Sequence, residues 1–242
     1  MITETSTLVV GQLRVAVVRK SIRNLHLGVY PPDGRVRIAA PIGLSDAALR
    51  VAVIGRLRWI KRQQEGFERQ ARESPREMVS GESHYFLGRR FRLRVEEGPG
   101  PGGVSIRGRT RLLLRAPVGS PEKQRAHILR RWYRARLREL AAPLIAKWEK
   151  VLGVTITAWG IKRMKTKWGS CNAKARRIWL NLELARKPPE CLEYVIVHEL
   201  AHLLAPRHDE RFHALMHRHL PGWQAARRLL NASPLASEEW PG

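Results

Sequence analysis

The strongest constraint on this chain is the run His198-Glu199-Leu200-Ala201-His202, followed by Leu203, Leu204, Ala205, Pro206, Arg207 and His208. It lies in a segment, Cys191 to Leu204, whose Leu192, Val195, Ile196 and Leu203 recur at helical spacing. On a helix, residues four apart share a face, with roughly 5–6 Å between Cβ atoms, so the imidazoles of His198 and His202 can reach one ion. Glu199 is turned about 100° from His198 by the 3.6-residue period and could hold and deprotonate a metal-bound water. Pro206 ends the helix, which lets the chain double back and bring His208 to the same ion. Three protein nitrogens then leave one position open, and an open position separates a catalytic zinc from a structural one. Zinc suits three neutral imidazoles, although imidazole accepts other first-row metals too.

The 242 residues, 43% hydrophobic, suffice for one large domain or two modest ones. A net charge of +24 points to a polyanionic partner, nucleic acid foremost, or to arginine scattered over solvated faces. Only two cysteines occur, Cys171 and Cys191, and neither belongs to a CxxC pair, so a reducing cytoplasm is expected rather than a disulfide framework. Met1 to Lys20 carries Glu4 early and no basic start before a continuous apolar run, and no stretch reaches about 18 apolar residues. Neither a signal peptide nor a membrane span is expected.

In chain order, Leu8 to Val18 alternates as a strand, and Asn24 to Tyr30 and Arg35 to Ala39 read as two more joined by the turn Pro31-Pro32-Asp33-Gly34. Ser45 can cap a helix running to about Arg72, with Leu49, Val53, Leu57 and Ile60 as its apolar stripe. A polar loop from Glu73 to Ser83 leads to strands His84 to Glu96 and Val104 to Ala116, flanking the hairpin loop Gly98 to Gly103. Arg90, Arg92 and Arg94 alternate along the first, and Arg107, Arg109 and Arg111 along the second. Like charges in rows on one sheet face are destabilising unless an anion faces them or water screens them. Ser120-Pro121-Glu122 starts a helix that can run to Leu152, with Ser as N-cap and Pro at the first helical position. Val154 to Met164 and Arg177 to Leu184 read as strands joined by the loop Lys165 to Lys174, part of a basic stretch without an acid. Lys187-Pro188-Pro189-Glu190 opens the histidine-bearing helix, Asp209 can cap a helix over Glu210 to His219, and Pro221 can open a last one. The fold class expected is α+β. A β-rich antiparallel half with helices, 1–119, precedes a zincin-like helical domain, 120–242, with a small sheet and the HExxH helix.

The run Arg163 to Cys171, the strand containing Asn181 and Leu182, then Tyr194 to His202 and Arg207-His208, closely resemble the YgjP-like metallopeptidase family, akin to the SprT-like and WLM zinc proteases. The likeness extends to the Pro32-Asp33-Gly34-Arg35 hairpin and to Leu87-Gly88-Arg89-Arg90-Phe91, and so covers nearly the whole chain. It implies His198, His202 and His208 as zinc ligands and Glu199 as catalytic base. His213 stands where many relatives have Trp, a departure that adds a competing imidazole. A nucleotide pyrophosphatase activity is also associated with the family.

Three function classes follow: a zinc metallopeptidase cleaving proteins or peptides, including proteins held near nucleic acid; a metal-dependent hydrolase of nucleoside triphosphates, favoured by Lys165, Lys167 and Lys174; and a non-catalytic nucleic-acid-binding module with structural zinc. The last is disfavoured because structural sites commonly fill four positions, often with cysteines, and Cys171 and Cys191 lie outside the motif. Tyr194, His213 and Lys167 are candidates for stabilising an oxyanion. Asp209 and Asn181 are candidates for holding the histidines. His213 and His217 compete with His208 as third ligand.

Overall fold

Short glycine turns decide how many strands the chain has. Gly11, at φ 60°, folds the first expected strand into a hairpin of β1 (Glu4–Val10) and β2 (Leu13–Lys20), in which Val10 faces Leu13. Leu87 and Gly88, at φ 50° and 76°, divide the segment after the polar loop into β5 (Ser83–Phe86) and β6 (Arg89–Glu97). Gly108, at φ 58°, divides the next into β7 (Gly103–Arg107) and β8 (Arg111–Ala116). Positive φ at a turn reverses the chain at little steric cost where the residue is glycine. The three single strands read from the sequence are therefore six.

The computed structural model describes residues 4–30, 34–69, 76–164 and 167–232. The Pro31-Pro32-Asp33 part of the expected turn, the polar loop up to residue 75, Lys165 and Thr166 lie outside these, as does the chain beyond residue 232. The fold is mixed α+β, with three small sheets and six α-helices among the described residues. None of those helices is long and apolar enough to cross a membrane.

Two compact units are distinguished, within Met1–Glu73 and Ser74–Glu238. In the first, β3 (His26–Tyr30) and β4 (Arg35–Pro41) form the expected hairpin, and β4 runs parallel to β2, giving the sheet order β1-β2-β4-β3. Ser45 caps α1 (Asp46–Ile54), its side chain accepting from Ala48 N at 3.3 Å. The long helix expected here is broken at Gly55-Arg56, and α2 (Leu57–Arg69) continues after it. Glycine is a poor helix former, and the Arg56 N–H bonds back only three residues, to Val53 O. Leu49, Val53 and Ile60 are buried with Val15, Val17, Val36 and Ile38 of the sheet.

In the second unit the same strand order recurs as β5-β6-β8-β7, with β6 parallel to β8. Gly98 to Gly103 is therefore not a hairpin loop between paired strands, because β8 lies between β6 and β7. The inner face, with Phe91, Leu93, Leu112 and Leu114, packs in one core with Ala126, Leu129, Tyr133 and Leu137 of α3 (Glu122–Leu152). Pro121 rather than Ser120 holds the cap position of α3, while the Ser120 hydroxyl accepts from Arg125 Nε at 3.1 Å. The third sheet has the order β10-β11-β9, from β9 (Ala158–Lys162), β10 (Gly169–Asn172) and β11 (Arg177–Asn181). Here β9 runs parallel to β11, and the basic loop contributes its own strand, β10, antiparallel to β11.

A 3-10 turn, Leu182–Arg186, leads into α4 (Pro189–Ala201). The β5–β6 turn clasps this approach: Leu87 and Gly88 N–H donate to Ala185 and Arg186 carbonyls at 2.9 and 3.1 Å. A Cβ at Gly88 would lie 2.8 Å from Pro188 Cγ. Along its length α4 packs on α3, where Lys147 Nζ and Trp148 Nε1 both donate to Glu193 Oε1. Then follow α5 (Glu210–His219) and α6 (Trp223–Ala232).

Candidate metal centre

Helix α4 is apolar nearly all round, with Leu192, Val195, Ile196, Val197, Leu200 and Ala201 all buried. Such a helix belongs inside a core, and polar side chains on it require partners or a function. Near its C-terminal end it carries His198 and Glu199, and His202 takes the C-cap position. The chain then tightens through Leu203 and Leu204, bonded to Leu200 O and Ala201 O at 3.0 and 2.9 Å, before reaching Pro206 and His208.

The reversal brings His198, His202 and His208 into one cluster, whose ligand atoms all lie within 4.8 Å of one another. Their ring centroids form a nearly equilateral triangle, with sides of 4.9, 4.9 and 4.8 Å. His198 Nε2 and His208 Nε2 are 3.1 Å apart. Two nitrogens bonded at about 2.05 Å to one tetrahedral ion would stand about 3.3 Å apart, so this pair fits a metal of that size. Phe212, buried beneath, touches all three rings at 4.7 to 4.9 Å between centroids. Asp209 caps α5 by accepting from Phe212 N at 3.1 Å, which fixes the turn that presents this platform.

The histidines are held by groups other than those expected. Ala205 O lies 3.2 Å from His202 Nδ1. A carbonyl can only accept, so Nδ1 carries the proton and Nε2 keeps its lone pair. Tyr194 Oη lies 3.5 Å from His198 Nδ1, one helical turn back. Asp209 is occupied by the α5 cap, and Asn181 serves the loop before β10, donating to Met164 and Lys167 carbonyls at 2.9 and 2.8 Å. His213 and His217 lie outside the cluster against Trp223, at 6.0 and 5.7 Å.

Burial, then the neighbouring His202 and His208, pushes His198 down to about 3. Burial lowers His202 as well, against the Ala205 carbonyl, and lowers His208 together with His213 and Arg227. All three are thus neutral near pH 7, the form that binds a metal. Glu199, 6% exposed, is pushed up to about 8 by burial, with Lys167 acting in the opposite direction. Its carboxylate abuts β10, where Gly169 has no side chain to obstruct it.

The cluster opens on a cleft of about 550 Å³ lined by Lys167, Gly169, Cys171, Tyr194, Glu199 and Arg227 among others. Of the oxyanion candidates, Tyr194 and Lys167 line it and His213 does not. Cys171 is pushed up to about 11 by burial and by Glu199, so it is a thiol and not a nucleophile at neutral pH. Three contributors escape sequence reasoning: the space left by Gly169, the Phe212 platform and Arg227 of α6. Gly169 lies in the run Arg163 to Cys171 that carries the family resemblance, but nothing local reports its contact with Glu199, and the three arrive from separate elements, β10, α5 and α6.

The abylysin metallopeptidase zymogen of Pyrococcus abyssi is similar at 24% identity, with 37% of this chain and 87% of that chain covered and a TM-score of 0.33. For the jannalysin metallopeptidase zymogen of Methanocaldococcus jannaschii the figures are 22%, 39%, 84% and 0.31. No curated protein matches in sequence. The family model for the YgjP-like metallopeptidase domain matches residues 23–233, spanning both units and every residue of the histidine cluster. The chain therefore belongs to the YgjP-like metallopeptidase family.

Proposed function

We propose that this protein is a zinc metallopeptidase in which His198, His202 and His208 hold the ion and Glu199 is the catalytic base. The observation that carries the reading is the convergence of three neutral imidazoles beside a buried carboxylate in an open cleft. Zinc bound there would supply a Lewis acid for attack on a peptide carbonyl. With such an ion bound, Glu199 would be held as a carboxylate, placed to take a proton from the attacking water and to deliver it to the departing amide nitrogen. Ala205 O fixes the His202 tautomer, and Tyr194 and Lys167 face the cleft where a developing oxyanion needs donors. We assign this chemistry to a zincin-like domain over 120–242, since the cleft lining falls between Lys167 and Leu230.

A second reading, hydrolysis of a nucleoside triphosphate, is favoured by the two cations Lys167 and Arg227 on the cleft wall. Structural zinc is less favoured, since the cluster offers three ligands among the described residues where a structural site uses four. Incubation of zinc-loaded protein with an unfolded protein and, separately, with nucleoside triphosphates decides between the first two. Cleaved peptide bonds with intact triphosphate are expected, and pyrophosphate release without peptide cleavage overturns the peptidase reading.

A further inference from the structure

The outer face of the β5–β8 sheet carries an ordered field of arginines that the proposed peptidase chemistry does not use. The inner face is the one packed with α3. Alternation along the strands sends Arg90, Arg92 and Arg94 of β6, Arg111 and Arg115 of β8 and Arg107 of β7 to the opposite side, and all six are exposed. The register makes it two-dimensional: Arg92 lies directly across from Arg111, and Arg111 directly across from Arg107.

Like charges directly opposite one another on a sheet destabilise it, and little among the described residues relieves them. Glu96 reaches Arg94 and Arg115 at 3.7 and 4.0 Å, and Arg92 Nη1 donates to Gly81 O at 3.1 Å. Arg90, Arg107 and Arg111 meet no carboxylate among the described residues. Leu113 points to this same side yet is only 7% exposed, with Arg94 across from it and Arg111 and Arg115 on either side along β8. Long arginine stems can cover such a leucine while their guanidinium groups stay in water.

We propose that this face binds single-stranded nucleic acid through its phosphates. Guanidinium groups grip phosphate oxygens in pairs, and residues two apart on a strand repeat at about 6.7 Å, a spacing suited to successive phosphates of an extended strand. Tyr85, 39% exposed and directly across from Arg90, supplies an aromatic ring on which a base can stack. An anionic membrane is the poorer partner, because interfacial docking buries several apolar side chains and this face exposes only Tyr85 among its large apolar groups.

The test uses the full-length protein and fluorescent oligodeoxythymidine and oligouridine, with anisotropy read between about 50 and 200 mM salt. No catalysis is measured, so the outcome is independent of the peptidase reading. Replacing Arg90, Arg94, Arg107 and Arg111 together by Gln is expected to weaken binding at least about tenfold and to lower the salt slope by up to about 2.8, at about 0.7 per lost phosphate contact. A control of equal charge, Arg14, Arg37, Arg58 and Arg62 to Gln in the first unit, is expected to stay within about threefold of the unaltered protein. Melting curves check that both variants fold. Should the first melt early, Arg111→Gln alone gives the same ordering, with a slope change of about 0.7. Failure of the unaltered protein to bind either oligonucleotide overturns the proposal, as do equal losses in the two variants. Binding to phosphatidylserine vesicles that is lost in the first variant while oligonucleotide binding persists overturns it in favour of a membrane.

Discussion

A Cβ added at Gly169 would lie 2.5 Å from Oε1 of Glu199 and 2.7 Å from its Cγ, so the proposed base occupies space that only glycine leaves open. Gly169 starts β10, and its register partner is Leu180 of β11. Its need is for space and not for an unusual φ, because its φ lies outside the left-handed region.

Gly169→Ala is therefore expected to displace the Glu199 carboxylate while leaving the histidine cluster in place. A shift of about 1 Å at a reacting group can cost about a hundredfold in rate, so kcat should fall roughly ten- to a hundredfold with bound zinc unchanged. Steady-state kinetics paired with metal analysis check this, and an alanine variant of full activity would remove Gly169 from the argument.

Glu199→Gln keeps the shape of the buried side chain and removes its ability to accept a proton. Hydrolysis should drop by about two to four orders of magnitude, the usual contribution of a positioned general base, while zinc content stays near that of the unaltered protein. A variant of near-normal activity contradicts the proposed role. Loss of zinc instead would make Glu199 part of the metal's support.

The two ends of this site were not equally legible in the sequence. The spacing of His198, His202 and His208 carries the cluster because two of them share one helix end and the chain doubles back to the third, although the helix closes at Ala201 and tightens through Leu203 and Leu204 rather than running on to Pro206. The Asp209 and Ser45 caps are likewise local, each a side chain bonding an N–H three residues on. Gly169 and Glu199 meet because a four-residue strand hidden in a basic loop packs on α4, and no period in the sequence reports a contact between such elements. Strand count failed for a related reason. Gly11, Leu87-Gly88 and Gly108 interrupt segments whose alternation continues on both sides, so each hairpin reads as one long strand. The parallel β2–β4 and β6–β8 pairs depend on connections that skip a neighbour, which turn chemistry alone does not reveal.

His84, away from the cluster, predicts an acid-sensitive core. It is 1% exposed, its Nδ1 has no hydrogen-bond partner among the described residues, and its Nε2 lies 3.1 Å from Glu82 Oε2. Burial, then the nearby Arg76, lowers it to about 4, with Arg186 acting the same way and Glu82 opposing. Between about 4 and 6.5 the unfolded chain binds the proton that the folded one refuses, so stability is present above that window and lost as pH falls through it. Urea unfolding of chelator-treated protein should lose on the order of 3 kcal/mol more between pH 7 and pH 4 than His84→Gln does. The subtraction matters, because His198, His202 and His208 titrate in the same direction in both proteins. Equal losses in the two would place the acid sensitivity elsewhere.

The third ligand is the sharpest division among the downstream imidazoles. His208 stands 3.1 Å from His198 through facing Nε2 atoms, whereas His213 stacks on Trp223 at an interplanar angle of 11° and His217 meets Gln224 at 3.4 Å. Moving His213 into the cluster would require α5 to turn about its axis, and Phe212, buried under all three rings, opposes this. His208→Ala is expected to lower zinc occupancy at least about tenfold after dialysis, because only two of the three proposed imidazole ligands would remain. His213→Ala and His217→Ala should stay near full occupancy. Loss of zinc in the His213 variant with retention in the His208 variant would show that the ion is held on α5 and that the triangle of His198, His202 and His208 is not the metal site.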